Sequence, residues 1–342
     1  TGPVDAALRR PWIDWLHTSQ DQGALIRNYV KYDDQPGSIE AMPEAILRAW
    51  QQSNTAPCGP SYVVLDAALQ EADADPDFVF PDQDRFKPAP APAPAPDVLA
   101  TAINALKGAK KPVFLMGKGD FTATSWNARV SLVEATGGLM LTDLKTHAMV
   151  PSDHPAHVGE PFNKLSKSGR QALRDADVIV SLGWVDLGGV LRQAYGANPI
   201  DATIIHASQD LHLHNGWGRE TFQLPPVDVH IVADPDETLH GLIRGLDVQV
   251  APSTAKKPRP AYPDQGNALN LVDVARELAA AVGDTPVSFA ALARSWPTKY
   301  WPFTDPLSYL GKDGGGGVGS GPGLCVGAAL KLKESGRLTV GI

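Results

Sequence analysis

Short continuous apolar runs alternate with stretches of helical periodicity over most of this chain, and the alternation predicts its elements. Ile39, Met42, Ile46, Leu47 and Trp50 recur at helical spacing behind Ser38, a residue type that caps helix N-termini, so residues 38–55 read as a helix. Gly59-Pro60 turns the chain into Ser61–Asp66, a short strand of the buried kind. Beyond residue 98 the rhythm becomes regular. Helices are predicted over Ala100–Lys107, Ser125–Thr136, Arg170–Asp175, Leu187–Tyr195 and Asp236–Gly245. Strands are predicted over Pro112–Met116, Leu139–Thr142, Val178–Leu182, Thr203–His206 and Val229–Ala233. Strands alternating with helices indicate α/β architecture with a doubly wound parallel sheet. Asn267–Val282 and Cys325–Lys333 add two further helices, and Leu338–Ile342 looks like a strand entering a sheet.

Composition shifts place the boundaries. From Glu71 to Val98 the chain is acidic and proline-rich and ends in alternating Ala-Pro, which favours a semi-rigid polyproline II spacer. Pro252–Pro263 is a second connector, rich in Pro and Lys. The expected organisation is therefore 1–72, a linker 73–98, a central α/β domain 99–250, a linker 251–263, and a last domain 264–342. With 342 residues, two or three domains fit, and 43% apolar residues suffice for their cores. A net charge of −8 argues against nucleic acid or anionic membrane surfaces as partners. No segment reads as a signal peptide or a membrane span. Cys58 and Cys325 are too few for a disulfide framework or zinc site, which suits a reducing, cytoplasmic setting. A chain opening at Thr1 and stopping on a strand-like run reads as an internal portion of a longer protein.

The densest chemical signal is the glycine run. Nine glycines fall between Gly311 and Gly327, and the run leads into the helix at Cys325–Lys333. Each glycine costs a regular element roughly 0.5–1 kcal/mol against alanine, so such density belongs where backbone turns sharply or approaches a ligand closely. A helix start that follows such a run offers free amides to an anionic or polar group. A flexible linker is the plainer reading. Against it, Pro306–Leu310 leads in and Leu324, Val326, Ala328, Ala329 and Leu330 lead out with apolar residues that ask to be buried.

Gly316-Gly-Val-Gly-Ser-Gly321, followed by Gly327-Ala-Ala, resembles the motif entering the last domain of thiamine diphosphate-dependent enzymes. The relevant superfamily is that of acetolactate synthase, benzoylformate decarboxylase and oxalyl-CoA decarboxylase. Arg27–Lys31, the helix after Ser38 and the Gly59-Pro60 strand resemble the end of its pyrimidine-binding domain, and Ala176–Leu182 resembles a central-domain strand. The resemblance implies a three-domain subunit whose first and last domains are incomplete here. Residues 1–72 would end the pyrimidine-binding domain and 264–342 would begin the pyrophosphate-binding domain. It also implies a homodimer or homotetramer using thiamine diphosphate and Mg²⁺ for carbon–carbon cleavage or formation. The substrates would be a small 2-oxo acid or acyl donor and a carbonyl acceptor. Gly316 matches the position whose carbonyl meets the pyrimidine amino group. Val318 matches the apolar residue beneath the bent cofactor, and Gly317, Gly319 and Gly321 complete the cofactor-binding stretch.

Two departures limit that carry-over. No Gly-Asp-Gly metal motif is present, so the Mg²⁺ ligands are expected beyond Ile342. No glutamate sits where the family keeps its proton relay, so that catalytic role goes unassigned. A chain so composed is expected neither to hold the metal–cofactor complex tightly nor to turn over. His17, Gln20 and Gln22 lie where the first domain would face the cofactor cleft, although a histidine at a helix end beside Trp12 and Trp15 is the simpler reading. Gly117-Lys-Gly-Asp120, between a strand and a helix, allows a phosphate contact, and with it an alternative identity as an FAD-, ADP- or NAD-binding protein. A non-catalytic homologue kept for assembly is the third reading. His212 and His214, and His154 and His157, have ligand-like spacing without a third partner in view, and loop histidines explain them as well.

Overall fold

The computed structural model describes residues 1–161, 164–210, 224–264, 266, 268–293, 295–312 and 319–342. Two compact units result, one built on Thr1–Ala91 and the other on Pro92–Gln209 and the residues from Gly218 onward, the chain passing between them inside the Ala-Pro run.

In the first unit, helices α1 (Ile13–Leu16), α2 (Ala41–Asn54) and α3 (Ala67–Glu71) accompany strands β1 (Tyr32–Asp34) and β2 (Ser61–Val63). The strands pair in parallel with Tyr32 opposite Ser61. β1 carries two aspartates and no apolar run, so periodicity gives no sign of it. Helix α2 starts at Ala41, three residues after Ser38, whose Oγ accepts from the Ala41 amide at 3.2 Å. Pro43 is tolerated there because amides of a first helical turn need no intrahelical partner. At the far end, the Lys31 ammonium donates to the Gln52 and Thr55 carbonyls, which the end of α2 leaves without helical donors.

The second unit contains helices α4 (Pro96–Gly108), α5 (Ala123–Ala135), α6 (Lys167–Asp175), α7 (Leu187–Tyr195) and α8 (Pro235–Gly245). They flank strands β3 (Pro112–Met116), β4 (Leu139–Thr142), β5 (Val178–Leu182), β6 (Thr203–Ala207) and β7 (Val229–Ile231). All pairings are parallel, in the order β4-β3-β5-β6-β7. Every residue of β3 and β5 is buried, as a sheet covered on both faces requires. Alternation decides the faces. Phe114, Met116, Val180 and Leu182 meet α4, α5 and α8, while Val113, Leu115 and Ile179 meet α6 and α7. Helix starts exceed the apolar pattern because caps extend them. Pro96 fits the first position of α4, Thr122 Oγ1 accepts the Ser125 amide of α5, and Asp234 caps α8.

The Pro/Lys-rich connector after α8 is fastened to the central domain. Ser131 Oγ bonds both the amide and the carbonyl of Ala251 at 3.2 Å, Ser253 Oγ donates to Glu134 at 2.7 Å, and the Lys257 amide donates to the Asp153 carbonyl at 2.6 Å. It leads to α9 (Leu271–Val282), which Asn270 and Asp273 start with a reciprocal capping box. Then follow β8 (Val287–Ala291), α10 (Ser320–Lys331) and β9 (Leu338–Gly341). Trp126, Leu144 and Ala148 of the central domain share an apolar cluster with Val287, Phe289, Trp296, Phe303 and Tyr309. Among the described residues no helix is long and apolar enough to cross a membrane.

Candidate functional site

The two-stranded sheet of the last segment carries the ends of the glycine run. β9 returns parallel to β8, with Val287 opposite Leu338 and Phe289 opposite Val340, and α10 crosses between them. A Cβ built on Gly321 would lie 3.8 Å from the Ala291 Cβ, so the N-terminus of α10 sits over the carboxyl end of β8. A Cβ on Gly341 would come within 2.3 Å of the Cys325 Sγ, so glycine there lets the helix lie on β9. Ligands of open parallel sheets bind beyond the carboxyl ends of the strands, and helix N-termini present amides there.

Gly316, Gly317 and Val318 lie outside the described residues. Gly319 caps α10 at φ +105°, in the left-handed region that favours glycine, and among the described residues nothing lies within 4 Å of its Cβ direction. Among the described residues Gly321 meets only Ala291. The left-handed backbone accounts for glycine at 319, and packing among the described residues does not account for it at 321. Among the described residues no group of three His, Cys, Asp or Glu side chains is arranged for a metal ion.

The lead-in to the run is anchored on the central domain. Residues 308–310 lie along β8, with Phe289 donating to the Ser308 carbonyl and Leu310 to the Phe289 carbonyl. Tyr309 accepts from the Ala148 amide and donates its hydroxyl to the Leu144 carbonyl. Gly311, at φ +96°, then passes the backbone of Thr146 and His147 so closely that a Cβ would lie 3.2 Å from the His147 nitrogen. His147 stacks on Phe121 at 3.8 Å, and its Nδ1 and Nε2 face the carbonyls of Ala148 and Gly119. Desolvation pushes its pKa down although those two carbonyls favour the charged ring.

The strand order reverses between β3 and β5, and that switch point is where a doubly wound sheet opens its ligand crevice. Here the chain closes it. The amides of Gly117, Lys118 and Asp120 donate to Leu182, Gly183 and Asp236, and a Cβ on Gly117 would fall 2.2 Å from the Gly183 carbonyl oxygen. Gly117 thus serves close backbone packing, Gly119 lies against the side chains of Arg129, Met149 and Asp236, and three of the loop's amides are occupied by protein acceptors. Periodicity gave no warning of the buried Arg129–Asp236 pair beneath it, because Arg129 occupies an ordinary helical position.

In the first unit His17 is exposed and ends α1, its Nδ1 2.7 Å from the Ile13 carbonyl. Gln20 is exposed. Gln22 is half-buried, with an Oε1 that finds no partner among the described residues. His212 and His214 lie outside the described residues. His154 bonds Glu134 at 3.0 Å and serves the connector rather than a metal.

His157 is buried, and Thr142 Oγ1 at 2.8 Å and the Gly159 carbonyl at 3.2 Å assign it a neutral ring protonated on Nδ1. Burial, with the Lys257 ammonium nearby, pushes its pKa down to about 4 from 6.5. An unfolded chain takes up that proton near pH 6.5 and the folded one does not. Stability is therefore full above pH 6.5 and falls, by about 3 kcal/mol in total, as pH drops to 4. His157→Gln is expected to flatten that part of the acid limb in denaturant midpoints measured against pH; an unchanged slope contradicts the assignment.

Residues 99–242 match the family described as thiamine pyrophosphate enzyme, central domain. Acetolactate synthase large subunit of Corynebacterium glutamicum is 26% identical over 308 residues, covering 85% of this chain and 47% of that protein. Human 2-hydroxyacyl-CoA lyase 1 is 29% identical over 157 residues, 46% of this chain and 26% of the lyase. Among solved structures, benzoylformate decarboxylase from Polynucleobacter necessarius superposes with a TM-score of 0.71 at 19% identity, covering 91% of this chain and 57% of that one. The thiamine diphosphate-dependent 4-hydroxybenzoylformate decarboxylase of Rhodococcus jostii gives 0.67 at 20%, with 94% and 59% covered. The chain spans about half the length of the acetolactate synthase it matches. At such identities the superpositions establish the α/β fold with its parallel sheets.

Proposed function

We propose that this chain is a member of the thiamine diphosphate-dependent enzyme superfamily and serves carbon–carbon bond cleavage or formation on a 2-oxo acid or similar acyl donor. The observation carrying the reading is the N-terminus of α10, which starts within the motif at 316–321 and lies at the carboxyl end of β8, with no described side chain filling the space at Gly319. Thiamine diphosphate fits a cradle of that kind. When bound, it supplies a nucleophilic carbon and an electron sink for the breaking bond. The chain's own share is to hold and orient. Gly319 and Gly321 let backbone approach the ligand, the Gly316 carbonyl would accept from its amino group, and Val318 would support it from below. Anchoring of Tyr309 and Gly311 to residues 144–148 fixes where the run starts, which limits the entropy lost on binding.

Mg²⁺ as the diphosphate's counter-ion and assembly as a homodimer or homotetramer belong to the same reading. The nucleotide-binding alternative is weaker, because protein acceptors occupy the amides of Gly117, Lys118 and Asp120. Calorimetric titration of the full-length apo-protein with thiamine diphosphate and Mg²⁺ tests the proposal. Saturable binding with restored turnover of a 2-oxo acid is expected. Binding without turnover would favour a non-catalytic homologue, and no binding would contradict the reading.

A further inference from the structure

A cleft of about 430 Å³ opens in the second unit where residues 152–161, the connector at 257–260 and residues 298–302 meet. None of its lining residues belongs to α10 or the glycine run. Hydrogen bonds within the chain fix the walls in advance. Glu160 Oε2 accepts from Thr298 Oγ1 at 2.7 Å and from the Lys299 amide at 2.8 Å. Lys257 spends its amide on the Asp153 carbonyl and its ammonium on the His157 carbonyl. Four prolines in the lining stiffen the walls and present no amide donors.

Three groups remain uncommitted. Arg259 makes no hydrogen bond or ion pair among the described residues, and the Lys299 ammonium lies 5.1 Å over the Tyr300 ring without a carboxylate. Asp153 Oδ1 is buried and has no donor among the described residues. An acceptor left so carries a desolvation penalty that a ligand hydroxyl would relieve. The lining residues include three cations, Lys257, Arg259 and Lys299, against two carboxylates, Asp153 and Glu160, a balance that favours an anion over a net-neutral zwitterion.

We propose that this cleft binds a small hydroxylated anion, its carboxylate or phosphate held by Arg259 and Lys299 and a hydroxyl donated to Asp153 Oδ1. Occupancy ties the connector to residues 298–302 and stabilises the junction they form. Neither step involves thiamine diphosphate, so the outcome is independent of the function proposed above.

Calorimetry on the full-length protein, without thiamine diphosphate, tests it with glycerate, glycerol 3-phosphate, propionate and serine as probes. Glycerate or glycerol 3-phosphate is expected to bind at least about tenfold tighter than propionate or serine, the better of the two identifying the acid group. The double variant Arg259→Gln/Lys299→Gln should weaken the hydroxylated probe by about tenfold or more. Asp153→Ala, which keeps the backbone carbonyl that receives Lys257, should remove the preference over propionate while leaving the melting temperature of the free protein near wild type. Failure of both hydroxylated probes to bind at millimolar concentration would overturn the proposal. So would full affinity in the double variant, or a hydroxyl preference that survives Asp153→Ala in folded protein.

Discussion

Gly117→Ala is expected to destabilise the second unit by on the order of 4 kcal/mol and to leave little soluble protein. The added methyl would lie 2.2 Å from the Gly183 carbonyl oxygen, 2.3 Å from its carbon and 2.4 Å from the Trp184 nitrogen. All three are backbone atoms at the end of β5, held by the bonds Gly117 N–H to Leu182 O and Lys118 N–H to Gly183 O at 2.8 Å each. Relief requires β3 and β5 to part at the centre of a buried sheet, where close packing leaves no slack. Gly108→Ala, at the last residue of α4 with nothing within 4 Å of the new methyl, is the control. It is expected to be neutral or stabilising by up to about 1 kcal/mol. Equal denaturation midpoints for the two variants would refute the packing role of Gly117.

Arg129→Met is expected to cost about 3–5 kcal/mol, the penalty for stranding a buried charge after its partner is removed. Arg129 is 2% exposed, and its guanidinium lies 2.5 Å from Asp236 Oδ1 and 3.3 Å from the Asp120 carbonyl. Asp236 is committed in turn to the Asp120 amide at 2.7 Å. Desolvation works against the ionised Asp120 carboxylate, yet bonds from the Thr122 amide, Ser125 and Thr122 hydroxyls, with the Arg129 charge, hold its pKa below the ordinary value. The loop over the switch point is thus tied to α5 and α8 through one guanidinium. The double variant Arg129→Met/Asp236→Leu should recover part of the loss, because it removes the stranded carboxylate as well. No recovery in urea midpoints would mean that Arg129 acts by volume alone.

The elements of the central domain were legible because strands buried on both faces must be apolar throughout. Pro112–Met116, Leu139–Thr142 and Val178–Leu182 occur at the predicted residues. Termini set by polar caps were less so: Thr122 and Asp234 begin helices before the apolar pattern does. β1 escaped notice because Tyr32-Asp-Asp34 has no strand periodicity, and β8 because Val287-Ser-Phe-Ala-Ala291 holds one β-branched residue and follows a helix of stronger signal. At the candidate site the glycine motif was visible as composition, but the reason for each glycine was not. Gly319 meets no described residue, Gly341 receives Cys325, Gly311 passes His147, and Gly117 meets Gly183. One letter serves a left-handed helix cap, a helix contact and a sheet contact, and coordinates separate them. Charged pairs that span more than a hundred residues, such as Arg129 with Asp236, leave no local trace at all.

A crystal structure of the full-length protein grown with thiamine diphosphate and Mg²⁺ tests the central claim most directly. Density for the cofactor is expected ahead of α10, with backbone at Gly319 and Gly321 against it and Val318 touching it. Cofactor bound elsewhere, or Val318 packed into a core away from any ligand, would contradict the assignment.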